Sequence, residues 1–459
     1  MGNLATGNDR LTLILRLSRT CVTWYLRKDV VPQPATEECL PGLSGHCYLV
    51  HLRAILALDF YPSFLQTSAR REISLTRYLS SYQDQLSTTF HICREQVSSN
   101  RSHIVWWADA YSARIGLSKV GPDHTQIMPP KLPGSHGIWI PPLTDDLIVG
   151  EIESRADALG VSSIQIPGYW IHKDRGLKAG EPPQPHEKIV YHTHGGGYTS
   201  LTAHPDDLPA TIPKGLLERC STIARAFAVE YRLLCPGAKA VHPFPTALLD
   251  ALAGYTYLVN LGFKEEDIVL CGDSAGGNLA LALTRYLTDN RDKAANLPRA
   301  PGALVLFSPW ADMSESFEET AAGPETQSAT HDWSLPINSE GITRVVKAFL
   351  GDQSGEIASA KRYVYSSPAS PYLLGLTPDS TTRKIWFNDF PRTWLDFGGS
   401  EVFRNQIERL GVAMGEDLGK DKFVLNECPG GVHGYVLFDW YEPERSETTG
   451  KIAAWLEDG

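Results

Sequence analysis

Cysteine is scarce, with 8 in 459 residues, too few to form a disulfide framework. No two stand as C-x-x-C, so neither a zinc ribbon nor a thioredoxin-like site is expected. A reducing, cytoplasmic compartment is the resulting expectation. Long hydrophobic runs are also missing. A membrane-spanning helix needs about 18 consecutive apolar residues. The nearest stretches, 11–26 and 47–65, are broken by Arg16 and Arg19 and by Arg53 and Asp59. Positive charge is in deficit: 42 basic against 53 acidic side chains leave a net charge of −11. A nucleic-acid partner is therefore not expected, since it demands a basic footprint. No G-x-x-x-x-G-K-[ST] phosphate loop, internal repeat or low-complexity tract occurs.

What is present is a chain able to bury a large core: 42% hydrophobic and 21% charged exclude wholesale disorder. The first third yields little about function. Met1-Gly2-Asn3-Leu4-Ala5-Thr6 fits a myristoylation pattern. Leu11, Leu13, Ile14, Leu15 and Leu17 then alternate with Arg10, Arg16 and Arg19. This stretch reads as a cap helix packed on the protein. The alternative, a basic amphipathic helix on an anionic membrane, would make the protein membrane-associated. The interrupting arginines argue against a cleavable signal peptide. Asn100-Arg101-Ser102 is a lone glycosylation sequon, and Trp106-Trp107 reads as core or cap packing, with pocket lining as the alternative. We take residues 1–134 as an amino-terminal helical region and 135–459 as the catalytic domain.

From Gly137 onward, short β-branched or aromatic runs alternate with helical stretches. Candidate strands fall at 137–140, 163–166, 188–192, 227–231, 268–271, 303–307, 393–397 and 422–425, with helices at 245–261 and 278–288. That alternation predicts an α/β fold with a mostly parallel sheet covered by helices on both faces. Its chemistry should collect in loops at the carboxyl ends of the strands.

Two such loops carry motifs. Gly272-Asp273-Ser274-Ala275-Gly276-Gly277 lies between a strand and a helix, and G-x-S-x-G in that context is a nucleophile elbow. A tight turn lifts the Ser274 hydroxyl above the sheet. Gly272 and Gly276 let the neighbouring backbone pass close, and the helix amino end favours developing negative charge. His194-Gly195-Gly196-Gly197-Tyr198 follows an earlier strand. Such a loop offers backbone N–H groups to an oxyanion, assigned here to Gly196, Gly197 and Ala275. His194 and Gly195 are read as loop supports rather than proton carriers.

With these motifs the chain resembles the hormone-sensitive-lipase-like (family IV) α/β-hydrolases. Glu230-Tyr231-Arg232-Leu233 is similar to that family's D-Y-R-L, His242-Pro243-Phe244-Pro245 to its H-P-F-P, and Ser308-Pro309-Trp310-Ala311-Asp312 to its S-P-W-x-D. Gly197-Tyr198 and Ala203-His204-Pro205 are similar to the steryl-acetyl-hydrolase-like branch and related secondary-metabolite esterases. The resemblance implies the chain order serine, acid, histidine. It points to His433, in the loop after the last strand, as the base, and to Glu401 where the family usually has Asp. Asp396, inside the preceding strand, is the rival acid. It further implies a helical cap, with an insertion at about 314–384 carrying Trp333, Phe349, Tyr363, Tyr365 and Tyr372. Those rings either line a pocket or hold the cap together.

The expected reaction is serine acyl transfer on a small-molecule ester, short-chain and acetyl-like, of a bulky alcohol, with no cofactor and no metal. Two other classes stay open: elimination or cyclisation of a natural product in the same pocket, and a catalytically silent binding protein. Oligomeric state is not legible.

Overall fold

The computed structural model describes residues 125–174, 176, 178–234, 241–314, 339–351 and 360–458. The acylation pattern, the basic amphipathic stretch, the sequon and Trp106-Trp107 all lie outside the described residues, as do Trp333 and much of the cap insertion. Among the described residues no helix is long and apolar enough to cross a membrane.

Eight strands form one sheet: β1 (Ser135–Ile140), β2 (Ile166–His172), β3 (Lys188–Thr193), β4 (Ile223–Val229), β5 (Ile268–Asp273), β6 (Ala303–Phe307), β7 (Arg392–Gly398) and β8 (Phe423–Cys428). Their spatial order is β1-β2-β4-β3-β5-β6-β7-β8. Only β2 runs antiparallel to its neighbours, and β4, β3 and β5 through β8 pair in parallel. The connecting helices are α1 (Glu151–Leu159), α2 (Thr211–Arg219), α3 (Thr246–Leu261), α4 (Ser274–Asp289), α5 (Ser339–Leu350), α6 (Arg404–Leu418) and α7 (Glu444–Glu457).

The central strands are buried at nearly every position and mostly apolar because helices cover both faces. Successive side chains nonetheless go to opposite sides. Ile189, Tyr191, Ile268, Leu270, Leu304 and Leu306 join one core with α3, α4 and α6. Val190, Val269, Cys271, Ala303 and Val305 join a second core with α2 and α7.

Two strands differ most from the sequence reading, the others being shifted at their ends by three residues or fewer. The run at 163–166 is irregular until Ile166, and the strand follows it through Pro167 and Gly168. Those two residues disguised it. Pro167 gives no N–H to the ladder, but its carbonyl accepts from Glu230 N. Gly168 lies where a Cβ would collide with the Phe227 ring, so a strand-weakening residue is required there by close packing. The strand expected at 227–231 begins four residues earlier. Its charged member Arg225 hides the start, yet is buried and paired with Glu187 at 2.7 Å. It ends at Val229, the last residue to pair with Gly168.

The chain leaving β4 is anchored by an ion pair in the core. Arg232 meets Asp250 of α3 through Nη2–Oδ1 at 2.7 Å and Nε–Oδ2 at 2.9 Å. The Arg232 backbone N–H also donates to Oδ2 at 2.8 Å. The side chains are 6% and 0% exposed, so neither charge has water as a substitute partner. Asp250→Ala strands the guanidinium and is expected to cost about 3–5 kcal/mol, read as a lowered urea midpoint. An unchanged midpoint would contradict this account.

Candidate active site

The turn from β5 into α4 carries Ser274. The helix starts at Ser274 itself rather than at Asn278, because the glycine-rich segment is already helical. Ser274 holds φ +52°, a left-handed conformation that is costly for a residue with a Cβ, on the order of 1–3 kcal/mol. It is tolerated because the chain on either side cannot move. A Cβ on Gly276 would run into the carbonyls of Thr193 and His194, and one on Gly272 into the Gly276 carbonyl. Thr193 Oγ1 donates to the Gly276 carbonyl at 2.8 Å, locking β3 against the elbow.

The same contact seats the glycine loop. Asp273 Oδ1 accepts from the Gly195 N–H at 3.0 Å. Gly196 and Gly197 hold φ +104° and +62°, and the Gly196 carbonyl accepts from the N–H groups of Thr199 and Ser200. Tyr198 closes the loop, its hydroxyl donating to Asn278 Oδ1 of α4 at 2.9 Å. Asn278 Nδ2 in turn donates to the carbonyls of Trp310 and Ser366, which ties this loop to the chain after β6 and to the cap. Ala275 is the second residue of α4, where N–H groups have no carbonyl one turn back. His194 stacks on Tyr231 with ring centroids 4.3 Å apart, and its Nδ1 lies 2.8 Å from the Gly195 carbonyl. Burial pushes its imidazole down to about 4, so it is neutral at ordinary pH, its one ring proton on Nδ1 and donated to that carbonyl.

His433, in the loop after β8, reaches Ser274: Nε2 lies 2.8 Å from Oγ. Its Nδ1 lies 3.3 Å from Glu401 Oε1, and Phe403 stands edge-on to the ring at 5.0 Å. Glu401 is 0% and His433 7% exposed. The second carboxylate oxygen, Oε2, accepts from Ser308 Oγ at 2.6 Å and from the Gly398 N–H at 2.7 Å. Burial raises the Glu401 carboxyl above its ordinary value, and the hydrogen bonds from His433, Ser308 and Gly398 oppose that.

Asp396 stays away from the imidazole. It is fully buried in β7 and accepts from Asn426 Nδ2 at 2.6 Å. Burial pushes its carboxyl up to about 7, against the pull of hydrogen bonds from Asn426 and Tyr435.

Ser308 was met only as a letter in a motif. Its position directly after β6, at a strand's carboxyl end, was the signal that could have flagged it. The cap aromatics Phe349, Tyr363 and Tyr365 gather around Phe244 with centroids 5.0–5.6 Å away, which is packing of the cap on the H-P-F-P segment. Among the described residues no group of three or more His, Cys, Asp or Glu is arranged to hold a metal ion.

Comparison with known proteins agrees with the fold. Residues 190–437 fit the profile of the alpha/beta hydrolase fold family, so the chain belongs to that family, in its hormone-sensitive-lipase-like part. It is similar to the esterase LipU of Mycobacterium tuberculosis, 27% identical over 276 residues, covering 59% of this chain and 78% of that protein. It is also similar to the hormone-sensitive lipase of Mus musculus, 28% identical over 193 residues, covering 40% of this chain and 22% of the lipase. The crystal structure of EstE5 soaked with ethyl alcohol shares the fold at a TM-score of 0.50 and 22% identity, over 82% of this chain and 97% of that one.

The raised Asp396 carboxyl makes stability depend on pH. Between its ordinary value of 3.8 and about 7, the folded protein keeps a proton that the unfolded chain has released. Stability therefore falls as pH rises through that window. Asp396→Asn removes the effect. Its unfolding free energy should gain on wild type by roughly 2–3 kcal/mol between pH 5 and pH 8. Parallel pH profiles from denaturant titration would contradict the assignment.

Proposed function

We propose that the protein is a serine hydrolase of carboxylic esters, working through Ser274, His433 and Glu401 with an oxyanion site at Gly196, Gly197 and Ala275. The observation that carries this is the imidazole between a hydroxyl and a buried carboxylate: Nε2 at 2.8 Å from Ser274 Oγ and Nδ1 at 3.3 Å from Glu401. Membership of a family with esterases and lipases among its named relatives supports the same class.

Ser274 Oγ attacks the ester carbonyl while His433 Nε2 takes its proton. Negative charge develops on the carbonyl oxygen and is met by the backbone N–H groups of the glycine loop and Ala275. Glu401 offsets the positive imidazole and fixes Nδ1–H as the donor towards it. Collapse breaks the ester C–O bond, and the departing alkoxide takes the proton from Nε2. Water then repeats the sequence on the acyl-serine, releasing the acid. The neutral His194 holds the loop and exchanges no proton.

The substrate is best read as a short-chain, acetyl-like ester of a bulky hydrophobic alcohol or natural product. The similarity of Gly197-Tyr198 and Ala203-His204-Pro205 to acetyl-ester hydrolases supports this. A silent binding protein has no need of a base held on the serine, so His433 favours hydrolysis. Elimination or cyclisation would release no acyl group.

Hydrolysis of p-nitrophenyl acetate, butyrate and decanoate by the full chain and by Ser274→Ala tests the reading. Acetate and butyrate should turn over faster than decanoate. The variant should lose at least about a thousandfold in kcat. Folded wild-type protein that cleaves none of the three, or a variant as active as wild type, would overturn it.

A further inference from the structure

The three loops that bring the acid, the base and the end of β6 together meet at one hydroxyl. Ser308 is the residue after β6, 1% exposed. Its Oγ donates to Glu401 Oε2 at 2.6 Å and accepts from the Gly434 N–H, next to His433, at 3.1 Å. Its own N–H donates to the Asp396 carbonyl at 2.7 Å, extending the β6–β7 ladder by one residue. Its φ is +45°, so the side chain is aimed by a backbone conformation that serine does not prefer. The acid loop and the histidine loop are otherwise joined by backbone bonds, Ser400 N to the Gly431 carbonyl and Gly399 N to the Cys428 carbonyl, both 2.8 Å. Those bonds fix loop to loop, but neither touches the carboxylate.

We propose that Ser308 is a positioning residue for the reaction: its hydroxyl fixes the Glu401 carboxylate on one side and the His433–Gly434 backbone on the other, setting the Glu401–His433 distance. This rests on the hydrolase reading above. The carboxylate has two oxygens and needs a donor on each to be held in one rotamer. Gly398 N–H and Ser308 Oγ share Oε2, leaving Oε1 for the imidazole. A left-handed serine conformation that completes a hydrogen-bonded carboxylate is the kind of strain that persists where surrounding structure enforces it.

Loss of the hydroxyl has two effects. Oε2 keeps only the Gly398 N–H and the acid and histidine loops lose their shared hydroxyl, so the carboxylate is held less tightly, and a misplacement near 1 Å commonly costs about a hundredfold in rate. Its negative charge also loses a donor and holds protons more tightly. The titratable groups facing Glu401 are His433 from the loop after β8 and Asp396 from β7. Glu401 and His433 therefore titrate as a pair, and the acid limb of activity moves to higher pH.

Two variants test this, Ser308→Ala and Ser308→Gly. Both remove the hydroxyl, but only glycine relieves the φ +45° strain, so it keeps the test open should alanine fail to fold. The readouts are thermal unfolding, kcat and KM for p-nitrophenyl butyrate across pH 5–9, and the labelling rate of Ser274 by diethyl p-nitrophenyl phosphate, which reports on the activated serine whatever the natural ester is. The expected result is a kcat lower by about tenfold to a hundredfold in both folded variants. KM should stay within about twofold, with the acid limb displaced upward and labelling slowed in proportion. Wild-type kcat, pH profile and labelling in either folded variant overturn the inference, as does a kcat defect that glycine repairs. Wild type that the phosphate does not label at Ser274 overturns the nucleophile reading, and this inference with it.

Discussion

Everything at the site depends on how closely two backbones pass. The turn from β5 into α4 lies directly against the end of β3. Gly272 and Gly276 are the residues that allow that approach, since a methyl group at either would strike a carbonyl. From this one steric constraint follow the left-handed serine, the hydroxyl lifted above the sheet, and the glycine loop seated over it. The cost of the strained turn is met by the two large cores on either side of the sheet. No single hydrogen bond at the site carries it.

Electrostatics divides the two buried carboxylates of β7 and its loop. Both are fully removed from water, which alone raises each above its ordinary range. Glu401 has an imidazole and two further donors around it, whereas Asp396 has only neutral donors, the Asn426 amide and the Tyr435 hydroxyl. An acid that is half-protonated near pH 7 is a poor partner for a positive imidazole. Burial is common to both groups, and it is the donor set that separates their surroundings.

Much of this was legible in the residues because the fold spends its most constrained positions on rare patterns. G-x-S-x-G and the triple glycine announce turns that other residues cannot make, strand β6 announces itself as an uninterrupted apolar run, and β3 and β5 do so through their apolar stretches 189–191 and 268–271. Legibility failed where one residue served two needs. Pro167 and Gly168 look like loop punctuation, yet one accepts a backbone bond and the other makes room for Phe227. Arg225 looks like a strand breaker and is a buried, paired strand residue. Ser308 offered only its place after β6 as a signal, because a single hydroxyl has no spacing signature and the convergence of three separate loops on it is visible only in the fold. The cap aromatics could not be sorted between lining and packing, since apolar rings suit either role until Phe244 is seen beside them.

The Arg232–Asp250 pair has a consequence for how the sequence can drift. Replacing both charges by apolar residues of similar volume can leave a core no less stable, while replacing one alone strands the other. The route between those two states passes through a poorly folded intermediate. Substitution at position 232 is therefore bound to substitution at position 250, and the two sites should vary together or not at all across descendants of this chain. A pair that contributes little net stability can in this way be among the least changeable features of a fold.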